Sequence, residues 1–469
     1  MRSYGKRLPF PYNEDMRFFN TLSGKIEEFK PLSDKTARIY TCGPTVYDFA
    51  HIGNLRAYIF EDILRRALLS NGYRVKQVMN ITDIDDKIIK RAKEEKTTVK
   101  KLARKYEQEF FSDLKKLNIE PLEKYPRATD HIKEIIKLVA ILLKKNFAYQ
   151  GEDGSIYYRI SEFKKYGELS RLDKRNLKIG ARIAADEYNK EEAQDFVLWK
   201  AEKPGEPSWP SPWGKGRPGW HIECSAMAMK YLGPSFDIHS GGVDLIFPHH
   251  ENEIAQSEAA TGKKFVNYWL HGEHLLVNNQ KMSKSLGNFY TLSDLEKRGF
   301  EPLSFRYLCL NSHYRSRLNF TWESLSGNRN ALRNLREEIL RLKMMKKGAS
   351  SQPKKIKEYQ ASFSEAINDD LNTSRALAVL WEMIKDRGLS PQTRMKLVKQ
   401  FDEALGLGLA NLQPARIPPV VKRLLRQREL SRRNQQFIQS DCLRKKIEQL
   451  GYKVEDTEEG AIVLPDRNL

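Results

Sequence analysis

Apolar residues near the start of the chain change their spacing twice, and each change marks an element. ARIYTC (37–42) is rich in strand-forming residues, and GPTVYDFAHIGN after it is a loop of turn formers. LRAYIFEDILRRALLSNGY then repeats apolar residues at helical spacing, with Leu55, Ile59, Ile63 and Leu64 on one stripe and Gly72 as the stop. YRVKQVMNI (73–81) reads as a second strand, followed by the acidic turn TDIDD and another helix. This strand–helix–strand alternation predicts a parallel sheet of nucleotide-binding type.

Between about 98 and 200 the pattern shifts to two helices, roughly 98–117 and 130–145, and short strands around SIYYRI. This stretch reads as an insertion that splits the sheet domain. The loop PGEPSWPSPWGKGRPGWH (204–221) brings the chain back, and FDIHS, FVNYWLHG and HLLV alternate with helices again. From about 320 the pattern is helical. PARIPP (414–419) forms a linker, and the tail carries the basic helix VKRLLRQRELSRRNQQF and a β-like end, YKVEDTEEGAIVL.

A chain of 469 residues, 40% hydrophobic and 30% charged, has room for two to four globular domains. No apolar run reaches the ~18 residues of a membrane span, and the basic start MRSYGKRLPFPYNEDM lacks the apolar core of a signal peptide. The net charge of +20 suits either a polyanionic partner such as nucleic acid or a lysine-rich soluble surface. Cys42, Cys224, Cys309 and Cys442 are far apart in sequence and form no CxxC pair. A disulfide framework is therefore not expected, and a reducing, cytoplasmic setting is.

Three short stretches carry candidate chemistry. In FPHHENE (247–253) the proline suits the first position of a helix, and His249 and Glu253, four apart, share one face. They are either half of a metal site or a polar helix start. HIGN (51–54) lies where the first loop enters the first helix. There Gly53 permits close approach, the helix N-terminus attracts phosphate, and His51 and Asn54 add side-chain donors. KMSKS (281–285) places Lys281 and Lys284 three apart in a glycine-ended strap that can close on a triphosphate.

HIGN and KMSKS together resemble the paired signatures of class I aminoacyl-tRNA synthetases. CGPTVYDFAHIGN, NITDIDDKI, DFVLWK, GEPSWPSPWGKGRPGWHIECSAM, FDIHSGGVDLIFPHHENEIAQSEA and KMSKSLGNF extend the resemblance to the cysteinyl-tRNA synthetase family over nearly the whole chain. The resemblance implies one zinc ion per chain, held by Cys42, Cys224, His249 and Glu253, with His250 and Glu251 in packing or supporting roles. It implies ATP contacts at His51, Gly53, Asn54, Asp244 and Lys284, with Lys281 assisting and magnesium accompanying the nucleotide. Gly43 and Thr82 would line the amino-acid pocket, with Trp220 closing over it. The family's signature ends in a second histidine where this chain has Asn54, which can donate a hydrogen bond but cannot become cationic. Zinc would select the substrate by its thiolate, since apolar pockets separate near-isosteres by only ~1–3 kcal/mol.

The same resemblance divides the chain. Residues 1–120 and 204–265 would form the halves of a Rossmann-type catalytic domain, with a connective insertion at 121–203. A stem-contact region with the KMSKS loop (266–320), a helical bundle (321–413) and a small mixed α/β anticodon-binding domain (414–469) would follow. Arg428, Arg432, Arg433, Phe437 and Arg444 would meet tRNA. The implied activity is ligation of L-cysteine to tRNA(Cys) with ATP, by a monomer without membrane attachment. An alternative on the same scaffold joins cysteine to an amino sugar; another is a zinc-stabilised RNA-binding protein without catalysis.

Overall fold

The structure is a computed structural model and describes residues 15–172, 182–183, 194–283, 286–345, 352–413, 417–457 and 460–465. Its centre is a four-stranded, wholly parallel sheet built from β1 (Thr36–Thr41), β2 (Arg74–Met79), β3 (Phe236–Gly242) and β4 (Val266–Gly272), in the order β4-β3-β1-β2. Helices α1 (Ile52–Ser70), α2 (Trp220–Leu232) and α3 (Glu251–Thr261) connect or flank these strands. With both faces covered, the strands read as apolar runs, and Ile39, Tyr40, Phe236 and Ile238 are fully buried.

The parallel sheet needs crossovers, and α1 provides the first. It buries charged residues as well as apolar ones, and Asp62, Arg65 and Arg66 among them are ion-paired. Asp62 meets Arg66 at 2.7 Å and Arg306 at 2.6 Å, while Arg65 meets Glu123 at 2.7 Å. Arg56, one turn into the helix, donates to the carbonyls of Glu273, His274, His313 and Ser316. It thereby ties the start of α1 to the chain leaving β4.

Two of the expected boundaries do not match the sheets. β4 pairs with β3 from Val266 opposite Phe236 to Gly272 opposite Gly242, so the catalytic sheet continues past residue 265. The inserted sheet comprises Ala148–Gln150, Ile156–Tyr158, Arg182–Ile183 and Asp195–Ala201, but it also recruits Gly216–Pro218, beyond residue 203. Sequence runs locate strands but not the partners to which their backbone groups bond. The insertion is not free-standing either. Ile135, Val139, Tyr158 and Trp199 share one core with Ile222 and Ala226 of α2 and with Ala255 and Ala259 of α3.

The chain divides into two compact units, one running to Arg329 with Ser364–Ala376, the other Asn330–Phe363 with Leu377 onward. The second unit includes helix Pro391–Leu405 and ends in helices Pro419–Arg433 and Phe437–Gln449 and the hairpin Tyr452–Thr457/Gly460–Pro465. Val421, Ile447, Val454 and Val463 form a small core of their own there. Among the described residues, no helix is long and apolar enough to cross a membrane.

One buried carboxylate in helix Val99–Lys116 makes a measurable prediction. Burial pushes Asp113 up to about 6, opposed by Lys116 and aided by Glu109 and Glu296. Its folded-state pKa lies above the unfolded value, so its contribution is fully present below about pH 4 and is lost as pH rises through 6. Asp113→Asn should therefore raise stability by about 2 kcal/mol at pH 8 and change it little at pH 4, measured by urea unfolding at both pH values.

Candidate active site and metal centre

A cavity of about 360 Å³ opens at the C-terminal ends of β1, β3 and β4, where parallel sheets bind ligands. Its lining includes Cys42, Gly43, His51, Gly53, Asn54, Trp220, Asp244 and Lys281. Gly43 is required by close approach: a Cβ there would sit 1.7 Å from the carbonyl oxygen of Asn80. Its N–H donates to Asn80 Oδ1 at 2.9 Å. Asp244 lines the mouth and is exposed. Thr82 is buried behind the wall instead of lining it, with its hydroxyl donating to Glu223 Oε2 at 3.0 Å.

His51 is the N-cap of α1, and its Nδ1 accepts from the Asn54 N–H at 3.1 Å. Asn54 Oδ1 accepts from the His51 N–H at 3.3 Å, completing a reciprocal cap. Asn54, the departure from the signature, thus uses its oxygen to hold the helix start. The strap leans on this same turn. The His51 ring packs edge-on against Phe289 at 5.1 Å, and the Ile52 N–H donates to the Tyr290 carbonyl at 2.9 Å. A Cβ on Gly53 would come within 2.7 Å of Met282 Cε. Asn288 closes the loop by accepting from the Ser283 N–H at 2.8 Å and donating to the Lys281 carbonyl at 3.2 Å. Lys281 is exposed; Lys284 lies outside the described residues.

Cys42 lines the cavity, and Cys224, His249 and Glu253 meet it just behind that lining, all four buried, with their ligand atoms within 4.8 Å of one another. Four elements bring them together: the end of β1, helix α2, the turn Ile246–His250 and the first turn of α3. The α-helix begins at Glu251, not at Pro248, because Phe247 has extended backbone angles and the next residues form a wider π-type turn. His249 and Glu253 still share a face. His249 Nε2 lies 3.1 Å from Glu253 Oε1 yet has no hydrogen-bond partner of normal geometry. Trp220 stacks over the His249 ring at 4.1 Å.

The electrostatics favour ligand-like protonation in part of the set. Burial opposes ionisation of Cys224, but the hydrogen bond with Cys42 and the nearby His249 outweigh it and bring the thiol down to about 6. Burial likewise opposes the charge on Glu253, but His239 and His249 hold it down at about 2. Cys42 is pushed well up, first by burial and then by Cys224. Two thiols, an imidazole and a carboxylate in one buried group of four make a donor set that fits a zinc-type ion.

The sequence reading gave His250 a packing or supporting role and missed His239 and His271 beside this group. Cys42, His239, His250 and Glu253 form a second set with the same spacing, sharing two members with the first. His239 Nε2 is 3.1 Å from Glu253 Oε2, and His250 Nε2 is 3.4 Å from Cys42 Sγ. Two further bonds connect His250 Nδ1 to His271 Nε2 at 2.8 Å and His271 Nδ1 to the Thr21 hydroxyl at 2.7 Å. Polar histidines inside the strand runs FDIHS and FVNYWLHG were the available signal. His250 therefore touches the thiol, whereas Glu251 supports from outside, accepting from the Gly167 and Ser170 N–H groups at 2.7 and 2.8 Å.

With this geometry in view, the known relatives are decisive. Residues 28–330 match the model for the class I (C) tRNA synthetase catalytic domain, and 362–409 match the DALR domain. A cysteine–tRNA ligase from Protochlamydia amoebophila is 46% identical over 465 residues, covering 96% of this chain and 97% of its own. One from Chlamydia pneumoniae is 46% identical over 475 residues, covering 98% and 100%. This chain belongs to the cysteine–tRNA ligase family. Solved structures agree on the class I synthetase fold. Mycobacterium tuberculosis methionyl-tRNA synthetase in complex with methionyl-adenylate gives a TM-score of 0.60 at 14% identity, over 80% of this chain and 92% of that one. The Agrobacterium radiobacter K84 LeuRS ternary complex gives 0.59 at 12% identity, over 82% and 86%.

The C-terminal residues expected to meet tRNA separate into two groups. Arg428 is 1% exposed and bidentate on Asp456 at 2.7 and 2.8 Å, so its guanidinium braces the terminal hairpin. A helical stripe of arginines does not reveal which one turns inward. Arg432 also pairs with Asp456, and Arg444 reaches Glu448 and the Val454 carbonyl, though both keep exposed surface. Arg433 and Phe437 are exposed beside Ile438, at the turn between the last two helices of a cysteine–tRNA ligase family member.

Proposed function

We propose that this chain is a cysteine–tRNA ligase: ATP and L-cysteine give cysteinyl-adenylate and pyrophosphate, and the cysteinyl group then passes to the terminal adenosine of tRNA(Cys). The observation that carries the reading is the Cys42–Cys224–His249–Glu253 group at the floor of the cavity whose mouth is built from HIGN and the KMS segment. When bound, zinc would take the substrate thiolate as a ligand, chemistry that serine's less acidic, harder hydroxyl cannot match.

The chain's own residues do the positioning. The start of α1, where His51, Gly53 and Asn54 border the cavity, would receive the nucleotide phosphates, which the helix dipole favours. Lys281 and Lys284 supply positive charge to the leaving pyrophosphate, with magnesium accompanying ATP. Asp244 would contact the ribose or the amino group, Gly43 would let the substrate approach the backbone, and Trp220 would close the amino-acid side. Thr82 acts through Glu223 and the wall. At the tail, Arg433 and Phe437, flanked by Arg432 and Arg444, offer the charge and stacking that RNA loops require. We assign the protein to a reducing cytoplasm as a monomer.

ATP–pyrophosphate exchange should depend on L-cysteine and ignore L-serine at the same concentration, and the same preparation should charge tRNA(Cys). Exchange without cysteine dependence would overturn the reading. Exchange without charging would point to a ligase that joins cysteine to another acceptor.

A further inference from the structure

The signature residues at the mouth and the ligand group at the floor leave a buried carboxyl of the cavity wall without a role. Glu61 stands on α1, on the face that also presents Asn54, Ala57 and Tyr58 to the cavity. Its residue is 1% exposed. Oε1 accepts from the Ser240 hydroxyl at 3.3 Å, whereas Oε2 has no hydrogen-bond partner among the described residues. The Ser240 carbonyl in turn accepts from the Cys42 N–H at 3.2 Å, so Glu61 sits at the thiol end of the cavity. A buried carboxyl oxygen that has given up water without gaining a partner is uncommon, because the lost hydration is uncompensated. Where such an oxygen borders a ligand cavity, the ligand is the natural source of the missing donor.

We propose that Glu61 forms the subsite for the α-ammonium group of the bound amino acid. The inference rests on the cysteine-activating reading of the cavity and adds the third point of substrate recognition. A cysteine whose sulfur meets the ligand group at the floor must turn its carboxylate toward the nucleotide at the mouth. Its ammonium group, three bonds from the sulfur, stays near the floor. Asp48, Asp244 and Glu273 also line the cavity, but each reaches solvent, where a charge pair contributes less. Glu61 is the buried carboxyl of the lining, and a charge-assisted hydrogen bond from an ammonium group would satisfy Oε2. The selectivity gained is distinct from that of the metal. A metal ion accepts any small thiol; an ammonium subsite restricts the choice to thiols that also carry an amine.

Calorimetry on the zinc-loaded full-length protein tests this with L-cysteine, cysteamine and 3-mercaptopropionate. Glu61→Gln, nearly isosteric and neutral, should weaken L-cysteine and cysteamine by about tenfold and 3-mercaptopropionate by less than about twofold. Equal losses for all three ligands would make Glu61 a structural residue, and no loss for any would remove it from recognition; either result overturns the proposal. Glu61→Asp, which keeps the charge, should retain part of the preference for amine-bearing thiols, and it carries the comparison if the glutamine variant is unstable. If the wild-type protein lacks cysteine-dependent pyrophosphate exchange, the reading of the whole site fails. Equal ligand losses with wild-type exchange intact remove only the Glu61 subsite.

Discussion

Cys224→Ser should lower zinc affinity by about a thousandfold and abolish cysteine-dependent pyrophosphate exchange, while the protein keeps its helical circular dichroism. The structural zinc sites of small domains contribute roughly 10–16 kcal/mol through four ligands, so losing one soft ligand removes several kcal/mol. The hydroxyl that replaces the thiol stays protonated and is a poorer partner for a borderline-soft ion. The fold should survive because Cys224 lies within a core shared by Tyr40, Met227, Phe236 and Trp269, which the substitution leaves in place. Metal content by mass spectrometry and the cobalt spectrum read the result directly. His250→Ala sorts the two overlapping ligand sets. It should leave one ion bound if Cys42, Cys224, His249 and Glu253 hold the metal. Loss of the ion as complete as in Cys224→Ser would place it instead among Cys42, His239, His250 and Glu253.

A chain ending at Asn411 should retain cysteine-dependent pyrophosphate exchange within about threefold and lose at least about a hundredfold in tRNA charging. The residues removed form helices Pro419–Arg433 and Phe437–Gln449 and the terminal hairpin, with their own small core. None of them lines the cavity. Their contribution is expected to be electrostatic and stacking contact with RNA, which dominates such affinities and weakens with salt. The truncation also removes Glu455, the bidentate partner of Arg341 at 2.6 and 2.7 Å, so a modest fall in melting temperature should accompany it. Charging rates compared at matched salt measure the effect, and charging equal to that of the full chain would refute the anticodon assignment.

Local pattern alone located the elements that carry the chemistry. The 37–42 run became β1, the stripe from Leu55 to Leu64 became α1, and the helices expected near 98–117 and 130–145 became Val99–Lys116 and Ile132–Lys144. These are legible because hydrophobic period and turn residues act within a few positions of themselves. HIGN and KMSKS were equally visible as strings, and the start of α1 and the segment around Lys281 and Met282 come together at the cavity mouth.

What the sequence by itself determined was the alternation of strand and helix, the family resemblance, and the four residues proposed as metal ligands, the last through that resemblance. Tertiary structure decided what those residues touch. Cys42 and Glu253 are 211 positions apart, and only the parallel register of β1 with β3 brings their side chains to 3.8 Å. Which arginine of the basic helix turns inward, as Arg428 does onto Asp456, depends on a hairpin that forms later in the chain. The same holds for His239, His250 and His271, whose rings meet because β3, β4 and the turn before α3 are neighbours. Hydrophobic period fixes an element from within. A contact between elements is set by the packing of both, and so by residues far from either in the chain.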